Sequence, residues 1–177
     1  DNLRFFRRGE KELAKAGRKL SKAEQGTPER AKRRRAVQHI HQRIANRRRN
    51  FAHQKSRELV NRFGLIAFED LRIKNMLQNH RLAKSISDAA WRQLIQFTAY
   101  KAENAGRVVV WVEPRNTSQK CSCCGTMVKK SLSVRVHACP VCGLVMDRDQ
   151  NAAINILRLG LESLGFALEA PAFRRGE

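Results

Sequence analysis

Apolar residues recur at helical spacing in the first third of the chain. Val37, Ile40, Ile44, Phe51 and Leu59 form one stripe on a helix expected from about Pro28 to about Arg62. Arg and Lys fill most of the remaining circumference. Gln25-Gly26-Thr27-Pro28 separates this helix from an earlier basic helical stretch, with Thr27 suited to the N-cap and Pro28 to the first helical position. The pattern predicts a helical hairpin over residues 1–63 with one apolar seam and broad basic faces. Gly64 ends it, and the pattern then changes. Leu65-Ile66-Ala67-Phe68 reads as a short buried strand finishing at Glu69-Asp70, and Val108-Val109-Val110-Trp111-Val112 as a second. Between them, 75–85 reads as a loop. Ser87 can cap a helix running to about Asn104, with Trp91, Leu94, Ile95 and Thr98 on one face and Gly106 beyond its end. A last helix is expected from about Gln150 to about Leu159. Strand, helix, strand and helix in that order predict part of an α/β sheet. Two strands make a poor sheet, so partner strands are expected from elsewhere. The divisions are 1–63, 64–118, 119–144, 145–160 and a tail, 161–177, without a clear signal.

Charge narrows the function classes. The chain of 177 residues carries 36 Lys and Arg against 16 Asp and Glu, a net charge of +20. Residues 1–63 hold 20 of those bases and six of the acids, about +14 of the total. Such a charge repels itself unless a polyanion neutralises it, so nucleic acid is the expected partner. Arg33, Arg34, Arg47 and Arg48 on the long helix, with Arg115 and Arg135 later, are the candidate phosphate contacts. Aromatic residues are sparse there, which argues against base stacking as the main mode. No apolar run reaches the 18 residues of a membrane span, and the N-terminus lacks the apolar stretch of a signal peptide. The chain opens on Asp1 rather than Met, which predicts a truncated chain.

Five cysteines add chemistry. Cys121 and Cys124 form one Cys-x-x-Cys knuckle, and Cys139 and Cys142 form another after a 14-residue gap. Four thiolates complete a tetrahedral zinc shell with no open position, so the expected ion is structural. Four cysteines in paired knuckles fit metal binding in a reducing cytosol better than disulfides. Gly125 and Gly143 follow each pair and suit the turn that aims backbone amides at the sulfurs. Cys123 is a bystander or an alternative ligand, and the bystander reading is favoured; His137, close to Cys139, could compete as a ligand but reads better as a surface histidine.

Two carboxylates stand at places where a sheet edge can hold them: Glu69 at a strand end and Asp149 at a helix start. Asp70 and Asp147 compete for the same roles. Pairs of divalent ions clamped by such carboxylates cleave phosphodiesters, but an Asp before a helix is more often an N-cap.

Several motifs together resemble a known family. Leu65 to Leu71, Asn116-Thr117-Ser118-Gln119, the two knuckles and Asp147-Arg148-Asp149-Gln150-Asn151-Ala152-Ala153-Ile154-Asn155-Ile156 resemble the C-terminal half of TnpB/OrfB insertion-sequence proteins. These proteins are known as transposases, are similar to type V CRISPR effectors, and act as RNA-guided DNA endonucleases. The likeness covers roughly residues 1–160. It implies an incomplete RNase H-like (RuvC) α/β domain over 64–118 and 145–160, with a four-cysteine zinc ribbon inserted over 119–144. It implies that Glu69 and Asp149 are two of three acids holding catalytic Mg²⁺, with DNA and guide RNA as partners and neither a membrane nor a small-molecule substrate. It further implies a cytoplasmic, nucleoid-associated prokaryotic protein. The family's first acid, an Asp in an Asp-x-Gly setting, has no match, so the chain by itself is expected to be inactive. The alternative is a non-catalytic zinc-ribbon protein that binds nucleic acid.

Overall fold

The computed structural model describes residues 4–71, 78, 90–131 and 133–166. The expected loop over 75–85 (apart from residue 78), the cap at Ser87 and the tail beyond 166 lie outside the described residues. The chain divides into two compact units, residues 1–62 with 72–106, and residues 63–71 with 107–177.

The first unit is helical. Helix α1 spans Phe5–Ser21, α2 spans Pro28–Arg62 and α3 spans Trp91–Asn104. The turn between α1 and α2 forms as its residues dictate. Thr27 Oγ1 accepts from the Arg30 amide at 3.2 Å, and Pro28 opens the helix. Arg30 reaches back, its Nη1 donating to the Ala23 and Leu20 carbonyls at 2.7 and 3.3 Å and so closing the end of α1. Gly9 sits where a Cβ would lie 2.8 Å from Ile44 Cδ1, so the missing side chain lets α1 approach α2. Phe5 meets Phe51 at a ring-centroid distance of 5.9 Å, and Glu12 pairs with Arg43 at 2.5 Å.

The apolar seam of α2 differs from the expected stripe. Ile40 and Ile44 are buried as expected, whereas Val37, Phe51 and Leu59 are half-buried. The deeper positions in the second half are Ala52, Ser56 and Val60. These small residues let a second helix, α3, approach α2 on a different face. On α3 the buried positions are Thr98, Lys101 and Ala102, while Leu94 and Ile95 are half-buried and Trp91 is exposed. Lys101 fills the interface, with Nζ donating to the His53 carbonyl at 2.7 Å and to Ser56 Oγ at 2.6 Å. The His53 ring stacks on Phe97 at 3.9 Å. Burial, then the nearby Arg57, lowers the Lys101 pKa from its ordinary value.

The second unit has α/β content. Strand β1 (Leu65–Glu69) pairs in parallel with β2 (Val108–Val112), with Leu65 opposite Val108 and Glu69 opposite Val112. A short antiparallel hairpin, β3 (Val136–Ala138) with β4 (Val145–Asp147), leads into α4 (Arg148–Ser163). Helix α4 outruns the expected end at Leu159 because Gly160 remains inside it. A Cβ there would come within 2.8 Å of Val110 Cγ2 and 2.9 Å of Ala67 Cβ. The missing side chain lets the helix pack directly against both strands there. The described residues of this unit contain one two-stranded parallel sheet, as the short strand count predicted.

Candidate metal sites and the carboxylate framework

The four knuckle cysteines converge. Cys121 Sγ lies 3.6 Å from Cys142 Sγ, Cys124 Sγ lies 3.5 Å from Cys139 Sγ, and all four sulfurs fall within 4.8 Å of one another. Zn–S bonds of about 2.3 Å in a tetrahedron require sulfurs about 3.8 Å apart, so the cluster can hold an ion such as zinc. The two knuckles are built alike. The Gly125 amide donates to the Cys121 carbonyl at 2.9 Å, and Gly143 to Cys139 at 3.0 Å. Gly125 and Gly143 have φ of 77° and 76°, left-handed values that favour glycine. Cys121, Cys139 and Leu144 form a small core with Cys123, Val128, Cys142 and Met146 packed against it. Cys123 is therefore a packing residue and not a fifth sulfur in the cluster.

The thiols are not equivalent before metal binds. The Thr126 hydroxyl, 3.3 Å from Cys124 Sγ, and then the Thr126 amide favour a thiolate and pull its pKa down to about 6. At Cys142 the Leu144 amide pulls down, but burial and the three other thiols outweigh it and push the pKa up to about 12.

His137 is not the surface histidine expected from its sequence setting; it is fully buried. It shares the β3 face with Cys139 because side chains alternate along a strand. The Lys130 ammonium donates to its Nδ1, which leaves the ring proton on Nε2, and that buried nitrogen has no partner among the described residues. Burial first, and then Lys130, lowers its pKa and keeps the ring neutral.

The acidic residues separate by role. Asp147 is the N-cap of α4, with Oδ1 accepting from the Asp149 amide at 2.7 Å and the Gln150 amide at 3.1 Å. Asp149 lies in the first turn and is exposed, its carboxylate 3.1 Å from Arg148 Nη2 and 3.8 Å from Arg135 Nη1. Glu69 ends β1 half-buried, and its Oε1 accepts from the Thr117 hydroxyl at 2.5 Å. Its other oxygen has no hydrogen bond among the described residues. Asp70 is exposed beyond the strand.

Three residues that the spacing arguments passed over hold this framework together: Thr117, Asn151 and Asn155. The two asparagines, one turn apart on α4, are 0% and 4% exposed. Asn151 Oδ1 accepts from the Ser122 amide at 2.9 Å, and its Nδ2 donates to the Lys120 carbonyl at 2.8 Å. Asn155 Nδ2 donates to the Thr117 carbonyl at 2.8 Å and to the Lys120 carbonyl at 2.7 Å. The helix therefore grips segment 117–122, which begins at the residue bonded to Glu69 and ends inside the first knuckle. The available signal was a pair of asparagines, poor helix formers, four residues apart on an otherwise amphipathic helix.

Of the basic candidates, Arg135 is the one brought beside a candidate acid. Arg115 is exposed after β2. Arg33, Arg34, Arg47 and Arg48 belong to α2 in the helical unit. Arg33 pairs with Glu29 at 2.6 Å, Arg34 and Arg47 are exposed, and Arg48 is half-buried.

Comparison with known proteins divides the chain in sequence and not along the two compact units. Residues 1–80 match the family described as "Probable transposase", and residues 91–156 match "Cas12f1-like, TNB domain". A putative RNA-guided DNA endonuclease of Streptomyces pristinaespiralis is 43% identical over 162 residues, covering 90% of this chain and 40% of the relative. The putative RNA-guided DNA endonuclease InsQ of Escherichia coli K12 is 32% identical, covering 88% of this chain and 42% of the relative. The CRISPR-associated endodeoxyribonuclease Cas12f1 of Sulfoacidibacillus thermotolerans is 32% identical, covering 72% and 31%. In a solved Cas12f1–sgRNA–target DNA complex, one chain superposes with a TM-score of 0.59 at 19% identity, covering 88% of this chain and 42% of that one. At that identity the likeness is one of fold. The chain spans about two fifths of the length of the two bacterial endonuclease relatives.

Proposed function

Because the chain belongs to the TnpB/OrfB family, we propose that it is the catalytic C-terminal part of a transposon-associated, RNA-guided, metal-dependent DNA endonuclease. In this reading β1, β2 and α4 are part of a RuvC-like, RNase H-type domain. The four cysteines hold a structural zinc ion, and DNA and guide RNA are the partners. Glu69 and Asp149 are the two acids that would hold Mg²⁺.

The observation that carries the reading is the linked placement of those acids. Thr117 bonds the Glu69 carboxylate, Asn155 bonds the Thr117 carbonyl, and Asp149 lies six residues before Asn155 on the same helix. The donor set suits a hard cation, since both groups are carboxylates with oxygens not consumed by caps. Asp147 does not suit it, because its Oδ1 is committed to two backbone amides. Bound Mg²⁺ would activate water and stabilise the leaving oxygen. The chain's own residues supply the rest. Glu69 is held by a buried hydroxyl, Asp149 projects from a capped first turn, and Arg135 and Arg148 already neutralise it. Were Asp149 to hold Mg²⁺, those two guanidinium groups beside it would be placed to meet a phosphate. The +20 charge supports backbone contact on guide RNA and on the RNA–DNA heteroduplex, with Arg33, Arg34, Arg47, Arg48 and Arg115 as candidates.

Two of the family's three acids have counterparts here, so the 177-residue chain alone is expected not to cut DNA. Mg²⁺-dependent cleavage by the purified chain would overturn that expectation. In a longer protein supplying the third acid and loaded with guide RNA, Glu69→Gln and Asp149→Asn should each abolish cleavage while target binding persists. Normal cleavage by either variant would remove that residue from the site. Loss of binding along with cleavage would favour a nucleic-acid-binding role without catalysis.

A further inference from the structure

Nothing in the metal chemistry requires a threonine, yet the most buried contact of either candidate acid is made by one. Thr117 is 5% exposed, and its hydroxyl lies 2.5 Å from Glu69 Oε1 and 3.2 Å from the Pro114 carbonyl. A hydroxyl has one proton to give, and a carboxylate at the shorter distance outcompetes a neutral carbonyl. Glu69 closes a five-residue strand, and the next amide along, that of Asp70, is bonded to the Val112 carbonyl at 2.9 Å. The backbone is therefore fixed, but a glutamate has three side-chain torsions beyond it. Without a partner it would sample several rotamers, and each ordered torsion has an entropic cost that metal binding would have to meet.

Thr117 is itself held from the other side. Its carbonyl accepts from Asn155 Nδ2 at 2.8 Å, and three residues on the Lys120 carbonyl accepts from both Asn151 and Asn155. The preceding Asn116 has a φ of 65°, and its carbonyl accepts from the Gln119 and Lys120 amides, each at 2.9 Å, so the turn is closed locally as well. The hydroxyl thus comes from a rigid support, which is what a group that orients another must have.

We propose that Thr117 is a positioning residue that sets the rotamer of Glu69 through its hydroxyl, presenting the second carboxylate oxygen to an incoming divalent cation. The proposal rests on the reading of Glu69 as a metal-binding acid, but its structural half stands apart from that reading.

The test uses the zinc-loaded chain labelled with ¹³C and ¹⁵N, as wild type, Thr117→Val, Thr117→Ser and Thr117→Ala. Valine keeps the shape and the backbone carbonyl that Asn155 grips, and serine restores the hydroxyl. Three-bond couplings and ¹³C relaxation report the Glu69 side-chain rotamers. Wild type and Thr117→Ser should show one dominant rotamer. Thr117→Val should show averaging over at least two, with zinc content unchanged. If valine fails to fold at this site, alanine gives the same comparison. A single Glu69 rotamer in the hydroxyl-free variant, or averaging in Thr117→Ser as complete as in Thr117→Val, overturns the proposal. A second readout titrates Mn²⁺ and follows line broadening at Glu69 and Asp149. Half-saturation should move up roughly 10-fold in Thr117→Val and stay in place in Thr117→Ser, the usual scale for losing a partner of a metal ligand. If Mn²⁺ broadens neither acid in wild type, the metal-binding reading fails, while the rotamer measurement still decides the role of Thr117.

Discussion

Replacing Asn151 with alanine tests how the first knuckle is fastened to α4. The substitution removes two hydrogen bonds with unequal consequences. The Lys120 carbonyl loses one donor at 2.8 Å but keeps Asn155 Nδ2 at 2.7 Å. The Ser122 amide loses its acceptor at 2.9 Å and, at a buried residue, has no replacement at hand. An orphaned buried donor costs about 1–3 kcal/mol, and the weakened carbonyl contact adds less than one ordinary hydrogen bond. Alanine regains roughly 0.7 kcal/mol because it is the better helix former. The net loss is about 2 kcal/mol, located at the join between knuckle and helix. Hydrogen exchange on the zinc-loaded chain measures this at the affected atom. The Ser122 amide should exchange roughly 30-fold faster, since about 1.4 kcal/mol corresponds to a factor of ten. Asn155→Ala is the control: it orphans no amide and should leave Ser122 much closer to wild type. The double variant should cost more than the sum of the two, because the Lys120 carbonyl then loses both donors. If Ser122 exchange in Asn151→Ala stays within about threefold of wild type, the claim that α4 pins the knuckle through this side chain is wrong.

Three further outcomes can be measured on the same chain. Gly160→Ala should destabilise the α/β unit by about 1–3 kcal/mol in chemical denaturation, since the new methyl meets Val110 and Ala67 at under 3 Å; Gly9→Ala should change stability by less than about 1 kcal/mol, because the flexible end of Ile44 can yield and the helix gains in propensity. Lys101 has a folded-state pKa below its ordinary 10.5, so the unfolded chain binds more protons between those values and stability rises with pH across that window. Wild type should therefore gain on Lys101→Met as pH climbs toward 10.5, and a constant difference between the two would contradict the assignment. If the four cysteines hold zinc, a chelator should melt the segment from Lys120 to Asp147, because its core is small and built largely of cysteines, while far-UV dichroism of α1, α2 and α3 persists.

Much of the local structure was legible because local chemistry sets it. The bounds of α2 follow from Thr27, Pro28 and Gly64, and each knuckle turn follows from a glycine in a fixed place. Burial was less legible. The α2 stripe predicts one seam, but two helices share its length, and the buried positions of its second half are Ala52, Ser56 and Val60. His137 looked like a surface residue because nothing in its neighbours announces that β3 turns it inward.

The sequence by itself determined which four cysteines can meet, the strand that ends at Glu69, the helix that begins beside Asp149, and the net charge of +20. Each is a matter of residue type and spacing along the chain. Only the tertiary structure decided which acid caps α4 and which is left exposed, and that a threonine 48 residues away in sequence bonds Glu69. It also decided that two asparagines hydrogen-bond segment 117–122 to the helix. Those outcomes depend on hydrogen bonds between segments distant in sequence, and a hydrogen bond is specified by position to a few tenths of an ångström, which no periodicity encodes.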